Sequence, residues 1–144
     1  MNKWLILIYR IPREPSAPRV AVWRKLKQIG AVLLQDAAWV LPKQPRTQEQ
    51  FRWLAAEITE HGGNAFLWEA EELYETDSGA LRRQFTDTVD AEYRKILTAL
   101  KKKQPDLANL ASRFQAAQAA DFFQSPIGRQ TRDKLLAAAK KKTS

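Results

Sequence analysis

The hydrophobic pattern first predicts a strand near the N-terminus. Apolar residues run without interruption from Trp4 to Tyr9, and such a run of aromatic and branched side chains is typical of a strand buried on both faces. A helix is predicted next, with Ser16 as its N-cap and Pro18 in its first turn. Gly30 follows the last turn and is expected to end this helix.

Two short apolar runs follow, AVLLQ and AAWVLP. They predict a pair of strands joined by a tight turn at Gln35 and Asp36. Pro42 and Pro45 are expected to close the second of these strands.

A second helix carries the most complete set of signals in the chain. Thr47 and Gln50 match the capping box T-x-x-Q at its start, and Gly62 and Gly63 mark its end. Its apolar stripe repeats at helical spacing through Phe51, Leu54 and Ile58. The segment NAFLWEA then predicts a fourth strand.

The order of these elements over residues 3–69 is strand, helix, strand, strand, helix, strand. This order predicts an α+β fold of the ferredoxin-like βαββαβ class, in which the helices pack on one face of an antiparallel sheet. We expect this domain to occupy residues 1–76, with an acidic, turn-prone connector after Glu69.

From about Ser78 onward the pattern becomes helical, and about three helices are predicted for the extension over residues 77–144. The first has an apolar stripe at helical spacing from Phe85 to Leu100. The third is predicted to begin at Ser125–Pro126, a cap followed by proline at the first helical position. We expect this extension to pack on the first domain.

Charge divides the chain into three parts. Residues 1–53 carry 10 Lys and Arg against 3 acidic residues, residues 54–100 carry 4 against 10, and residues 101–144 carry 10 against 3. Two basic ends of +7 each therefore flank an acidic middle of −6, within a total of +8. This distribution indicates a surface for a polyanion such as nucleic acid, although basic helices can also serve solubility alone.

Composition excludes several kinds of site. The chain has no cysteine, which rules out disulfides, thiolate metal sites and a cysteine nucleophile. No segment is both long and apolar enough to span a bilayer, and WLILIY is too short for the apolar part of a signal peptide. We therefore expect a cytoplasmic protein that does not associate with a membrane.

Catalytic chemistry has little support in the sequence. His61, the single histidine, is expected to lie at a helix end rather than act as a base. The acidic residues between Glu69 and Asp77 are expected to be solvated rather than to hold Mg²⁺. The P-loop, nucleophile-elbow and dinucleotide-binding motifs are missing. We predict that the protein is not an enzyme and has no catalytic residue, no metal and no cofactor.

The first helix offers a candidate nucleic-acid surface. The apolar positions at i, i+4 and i+7 from Val22 define the side that packs on the sheet, so Arg19, Trp23 and Lys27 form a ridge at its border. The cations there can bind phosphates while the indole stacks at a contact. The alternative is that Trp23 covers the edge of the core and the cations are solvated or stack on it. The predicted nucleic-acid-binding residues are Arg19, Trp23, Arg24, Lys25 and Lys27.

A second candidate site lies in the segment RIPREPSAPR, just before this helix. Arg10, Arg13 and Arg19 bracket the N-terminus of the helix, where free backbone N–H groups favour an anion. A phosphate group or another tetrahedral oxyanion would fit there. The alternative is three surface arginines in a loop stiffened by proline.

Trp53 falls on the polar side of the second helix. A large aromatic side chain in that position must be covered or must form a contact. We expect the C-terminal helices to cover it, and a subunit interface is the alternative.

The chain resembles the N-terminal region of the ChrB-type chromate resistance regulators over about residues 3–140. The matching segments, in order, are KWLILIYRIP, APRVAVWRKLKQIGAVLLQDAAWVLP, FRWLAAEITEHGGNAFLWE, DAEYRKI and DFFQSP. The most specific part of the resemblance is V-W-R-x-L-K-x-x-G-A followed later by D-F-F-x-x-P.

This resemblance implies a bacterial cytoplasmic protein of a chromate-resistance operon that responds to chromate and acts on the operon promoter. The fold also resembles the regulatory domain of the phenylacetate-catabolism repressors. Members of the family are expected to carry a further C-terminal domain. We therefore predict a DNA-binding regulator of a chromate efflux operon, with promoter DNA and chromate as partners and with chromate placed at Arg10, Arg13 and Arg19. The alternative is a non-catalytic interaction module of the same system that binds a protein partner or forms a homodimer.

Overall fold

The computed structural model describes residues 3–143. The chain separates into two compact units, and the division falls between Ser78 and Gly79. Each unit has its own buried core. Within the described range, none of the helices has the length and apolar composition that crossing a membrane would require.

The described part of the first unit contains four strands and two helices. In chain order they are β1 (Lys3–Arg10), α1 (Ser16–Gln28), β2 (Val32–Leu34), β3 (Ala38–Pro42), α2 (Pro45–Glu60) and β4 (Asn64–Glu71). The strands form one antiparallel sheet in the order β2-β3-β1-β4. The predicted fold class is therefore confirmed: the chain has an α+β fold with the βαββαβ order of ferredoxin-like domains.

One face of the sheet forms the core of this unit with the two helices. Leu5 and Leu7 of β1 pair in register with Leu41 and Trp39 of β3, so these four side chains share a face, and each is at most 5% exposed. Burying such side chains supplies about 1.5–3 kcal/mol each. The helices add the buried side chains Val22, Leu26, Phe51, Leu54 and Ile58.

β1 is buried on both faces over only part of its length, although its uninterrupted apolar run predicts full burial. Leu7 is fully buried, whereas Ile8, which points to the other face, is 36% exposed. The neighbour of Ile8 in register is Phe66 of β4, which is itself exposed. The apolar run of β1 therefore contributes Leu7 to the buried core on one face of the sheet and Ile8 to an exposed apolar surface on the other.

α2 begins earlier than the T-x-x-Q pattern predicts. Its first residue is Pro45, and its N-cap is Gln44, whose backbone N–H donates to Thr47 Oγ1 at 3.0 Å. The buried Thr47 hydroxyl donates to the carbonyl oxygen of Pro42 at 2.6 Å. The capping box thus consists of Gln44 and Thr47 rather than Thr47 and Gln50. Pro45 opens the helix and does not close the preceding strand.

The ends of α1 and of the β2–β3 hairpin are close to their predicted places. The helix begins at Ser16 itself and has Pro15 at the N-cap, so the predicted cap is wrong by one residue. Gly30 follows the helix with a φ of +87°, which confirms the predicted end. Gln35 and Asp36 have φ of 52° and 56°, the left-handed values that tight hairpin turns use, so the predicted turn is also confirmed.

The described part of the second unit contains α3 (Ala80–Leu100), α4 (Leu107–Ala119) and α5 (Pro126–Thr143), as the predicted helical extension requires. Their shared core consists of Val89, Tyr93, Ile96, Leu110, Phe114, Ala117 and Leu135. The predicted cap of the last helix is confirmed. Ser125 Oγ accepts hydrogen bonds from the backbone N–H groups of Ile127, at 3.1 Å, and Gly128, at 3.3 Å.

Candidate functional site

The outward side of α1 carries the predicted nucleic-acid-binding residues. Val22 and Leu26 are 0% exposed and hold the opposite side of the helix in the core. Trp23 remains 50% exposed, although an aromatic side chain of this size is usually buried to a greater extent. All five predicted side chains, Arg19, Trp23, Arg24, Lys25 and Lys27, are exposed.

Trp23 and Lys27 contact each other on this surface. Lys27 Nζ lies over the Trp23 ring, 5.6 Å from the ring centroid. This contact is the cation–π arrangement of the alternative interpretation. The indole nevertheless keeps half of its surface accessible with the lysine in place. Both side chains therefore remain available to a ligand on the outside of the helix.

Lys25 differs from the other cations of α1 because it forms an ion pair within the fold. Its Nζ donates to Glu57 Oε1 of α2 at 2.5 Å. The pair links the two helices, and its partial exposure limits its contribution to at most about 1 kcal/mol. Since Glu57 offsets the charge of Lys25, Arg19, Arg24 and Lys27 are the stronger candidates for phosphate contacts.

The three arginines of the predicted oxyanion site do not line one cavity. Arg10 and Arg13 line a cavity of about 420 Å³ together with Gly62, Gly63 and Asn64, whereas Arg19 lines another cavity. The reason is the register of the sheet. Arg10 pairs with Asn64 of β4, so the segment after β1 lies at the α2–β4 turn. The first turn of α1 does not line this cavity.

Gly63 allows β1 and the α2–β4 turn to approach closely. A Cβ atom at this position would lie well inside van der Waals contact with the carbonyl oxygen of Arg10. It would also lie 2.8 Å from Cγ2 of Ile58, a fully buried side chain. The cavity of Arg10 and Arg13 therefore depends on a glycine whose importance the sequence pattern does not reveal.

A larger cavity, of about 520 Å³, lies between α1 and the β2–β3 hairpin. Its residues come from three separate parts of the first unit, so local sequence patterns could not identify it. Tyr9 lies within it, and burial raises the pKa of Tyr9, opposed by a hydrogen bond with Trp39 and by the charge of Arg19. The lining residues are Tyr9, Ile11, Arg19, Val20, Trp23, Leu33, Asp36, Ala37 and Trp39.

Further aromatic side chains are exposed on the first unit. Phe66 and Trp68 of β4 are 54% and 51% exposed and stack with 5.6 Å between their ring centroids. Their alternation along β4 was the signal that could have revealed this pair. Trp53 is 68% exposed, and its covering by the C-terminal helices stays a prediction. Its neighbour Leu54 occupies the buried side of α2 in its place.

The second unit has a lysine-rich end. Lys101, Lys102 and Lys103 follow α3, and Lys140, Lys141 and Lys142 form the last turn of α5. A groove of about 550 Å³ brings Lys103 together with Lys141 and Lys142 above an apolar floor. Cations at helix C-termini also complement the helix dipole, so part of this pattern serves the fold itself.

The DFFQSP segment connects α4 to α5 and is tied to α3 by hydrogen bonds. Tyr93 donates its hydroxyl proton to Asp121 Oδ2 at 2.9 Å, and the Ser125 backbone N–H donates to Asp121 Oδ1 at 3.0 Å. The Ser125 hydroxyl donates to the carboxylate of Asp90, and both residues are buried. Burial, and then the hydrogen bond and charge of Asp121, raise the pKa of Tyr93 above its ordinary value. The polar residues of this segment therefore hold the three helices together.

His61 occupies the C-cap of α2, at the helix end where its sequence position places it. Among residues 3–143, no group of three or more histidine or carboxylate side chains lies in an arrangement that could hold a metal ion.

Two comparisons with known proteins bear on the family of this chain. The family described as Protein ChrB, N-terminal, matches residues 19–110, which is more than half of the chain and extends from α1 into α4. Protein ChrB of Cupriavidus metallidurans is 25% identical over 130 residues, which cover 83% of this chain and 40% of that relative. The chain thus spans less than half the length of this relative. The match over most of the βαββαβ unit and the first part of the helical unit shows that the chain belongs to the family of ChrB N-terminal domains.

Proposed function

We propose that this protein is a non-enzymatic, DNA-binding regulator of a chromate-resistance system, and that α1 contacts the phosphate backbone of promoter DNA. Membership in the ChrB N-terminal family supports the connection to chromate resistance. The two basic ends of the chain, at +7 each, support a polyanion as the partner.

The observation that carries this proposal is the half-exposed Trp23 on a helix that is otherwise well packed. Its exposed surface lies on a ridge between Arg19 and Lys27, and Arg24 adds a further exposed cation. Arginine and lysine bind phosphate oxygens, and their binding releases the counterions of DNA. An exposed indole among cations provides the apolar part of such a contact.

Fluorescence anisotropy with a labelled duplex from the region upstream of the gene tests this role of α1. Replacing Arg24 and Lys27 together with alanine should weaken binding by roughly tenfold or more. Because two phosphate contacts are lost, the slope of log K against log salt should decrease in magnitude by about 2.

The matched control for this experiment is Arg52→Ala, which removes an exposed arginine from α2 of the same unit. We expect its affinity and salt slope to stay within error of the unsubstituted protein. If the unsubstituted protein does not bind the duplex even at low salt, the proposed contact of α1 with promoter duplex is rejected. The exposed pair of Phe66 and Trp68 then favours the second candidate function, an interaction or dimerisation module.

We also propose that chromate binds at the cavity of Arg10 and Arg13, because two guanidinium groups there can donate to a tetrahedral dianion. Calorimetric titration with chromate, and with sulfate as an analogue, tests this site. Arg13→Ala should weaken binding at least about tenfold, because a hydrogen bond to a charged group is worth about 1.5–3 kcal/mol. Arg19→Ala should leave the affinity within about twofold, since Arg19 lines another cavity. If Arg13→Ala and the unsubstituted protein bind chromate with equal affinity, the proposed chromate site is rejected.

A further inference from the structure

The cavity between α1 and the β2–β3 hairpin combines an aromatic interior with an apolar entrance. Trp39 is 5% exposed and forms a fixed part of the wall, whereas Trp23, Val20 and Leu33 are each 39–50% exposed at the same cavity. The protein therefore keeps three large apolar side chains in contact with water around one opening. Such concentration of exposed apolar surface is characteristic of a ligand site.

The size and the aromatic lining of this cavity suit a planar ring. Its volume of about 520 Å³ lies within the usual range of small-ligand sites, roughly 300–1,000 Å³. Tyr9, Trp23 and Trp39 contribute three aromatic side chains to its lining. Aromatic side chains hold planar ligands by stacking, and each stacked base contributes about 1–3 kcal/mol.

Two charged residues line the cavity, and they have opposite signs. Arg19 can bind a phosphate, and Asp36, in the turn between β2 and β3, can accept hydrogen bonds from ring amino or imino groups. A nucleotide carries both a phosphate and, on most bases, such donors. The charges at the cavity are therefore complementary to those of a nucleotide.

The surface beside the cavity indicates whether this nucleotide is free or part of a strand. Arg24 and Lys27 lie one and four residues beyond Trp23 on the same helix, and both are exposed. Cations in this position can bind the phosphates that neighbour a stacked base. A strand that continues past the cavity would bring its phosphates to these cations, which favours a strand over a free nucleotide.

We propose that this cavity binds one unpaired base of a DNA strand, with the base against Trp23 and its phosphate at Arg19. This inference rests on the proposed function of α1 as a DNA-binding helix and adds a substrate preference to it. The protein accordingly binds single-stranded or locally unpaired DNA more tightly than a fully paired duplex. Part of that preference arises because a base in a duplex must first be unpaired and unstacked, which costs free energy, whereas a base that is already unpaired avoids this cost.

The test compares three labelled probes of one sequence by anisotropy at one salt concentration: a single strand, a duplex, and a duplex with one bulged base. We expect the single strand and the bulged duplex to bind at least about fivefold more tightly than the paired duplex. Trp23→Ala should weaken binding of these two probes about 5–100-fold, which corresponds to the loss of one stacked base. It should weaken binding of the paired duplex by a clearly smaller factor, so that most of the preference for unpaired bases is lost.

Two variants control for loss of an exposed indole and for damage to the fold. Trp53→Ala removes another exposed tryptophan, from α2, and should leave the affinity for all three probes unchanged. Trp23→Phe keeps an aromatic ring at the cavity and should retain most of the preference for unpaired bases.

The possible failures separate this inference from the proposed function. If Arg24→Ala weakens duplex binding but the three probes bind equally, the base-binding cavity is rejected and the phosphate contacts of α1 stand. If Trp23→Ala weakens binding of every probe by the same factor, Trp23 is a general contact and the cavity is again rejected. If the protein binds none of the probes, both proposals are rejected.

Discussion

Replacing Gly63 with alanine is expected to lower the free energy of unfolding of the first unit by about 2–3 kcal/mol, as overpacking in a closed site usually does. The added Cβ would collide with the backbone carbonyl of Arg10 and would lie 2.8 Å from Ile58 Cγ2. A backbone atom cannot rotate away as a flexible side chain can. The end of β1 must therefore separate from the α2–β4 turn, which also disrupts the cavity that Arg10 and Arg13 line.

Urea unfolding followed by tryptophan fluorescence measures this effect selectively, because all five tryptophans precede residue 78. The adjacent substitution Gly62→Asn is the matched control. A Cβ at Gly62 would meet Pro12 Cγ at 3.8 Å, an ordinary contact. Asparagine also tolerates the φ of +84° better than most other residues do. If Gly63→Ala lowers the free energy of unfolding no more than Gly62→Asn does, the close approach of the two backbone segments at Gly63 does not limit stability.

Asp90→Ala is expected to destabilise the helical unit by about 2–3 kcal/mol. The Asp90 carboxylate accepts the hydroxyl proton of Ser125, and Ser125 is 1% exposed. Without the carboxylate, a buried hydroxyl loses its acceptor, which costs about 1–3 kcal/mol, and the smaller side chain leaves a space in addition. Ser125, the N-cap of α5, also loses its side-chain hydrogen bond to α3.

Hydrogen exchange of the backbone amides of α3, α4 and α5 reports this loss, since these helices contain no tryptophan. The control is Asp87→Ala, which replaces an exposed residue of the same helix. It should change the free energy of opening, calculated from the protection factors, by less than about 0.5 kcal/mol. Protection in Asp90→Ala equal to that in Asp87→Ala would contradict the structural role of the hydrogen bond to Ser125.

The arrangement of strands and helices could be predicted because the buried side of each element has apolar residues at regular spacing in the sequence. The stripe of Phe51, Leu54 and Ile58 follows directly from the side of α2 that faces the sheet. The run from Trp4 to Tyr9 was less informative. Such a run shows that the residues are apolar, whereas the burial of Ile8 depends on which strand lies beside it.

The start of α2 shows why local motifs can mislead. The spacing of Thr47 and Gln50 satisfies the capping pattern, yet Thr47 already serves as the N3 residue of a box whose N-cap is Gln44. Its hydroxyl also bonds to the carbonyl of Pro42, outside the helix. The choice between the two boxes depends on that hydrogen bond, and sequence spacing contains no information about it.

The candidate sites were predicted residue by residue but not in their grouping. The exposed side of α1 follows from its helical period, so Arg19, Trp23 and Lys27 lie where the pattern places them. The ion pair of Lys25 joins residues 32 positions apart, and the cavity of Arg10 needs the turn at Gly62 and Gly63. Contacts at such separation in sequence arise from the tertiary fold.

The anchoring of α5 is strongly asymmetric, and this has a consequence for its behaviour in solution. Its first turn is held by Ser125 and by Gly128, which packs against the Tyr93 ring, whereas Leu135 is the last of its described residues in the buried core. Fraying of this helix should therefore begin at the lysines of its last turn, where like charges also repel each other. A bound polyanion would neutralise them, and its binding would then increase the helix content of the protein.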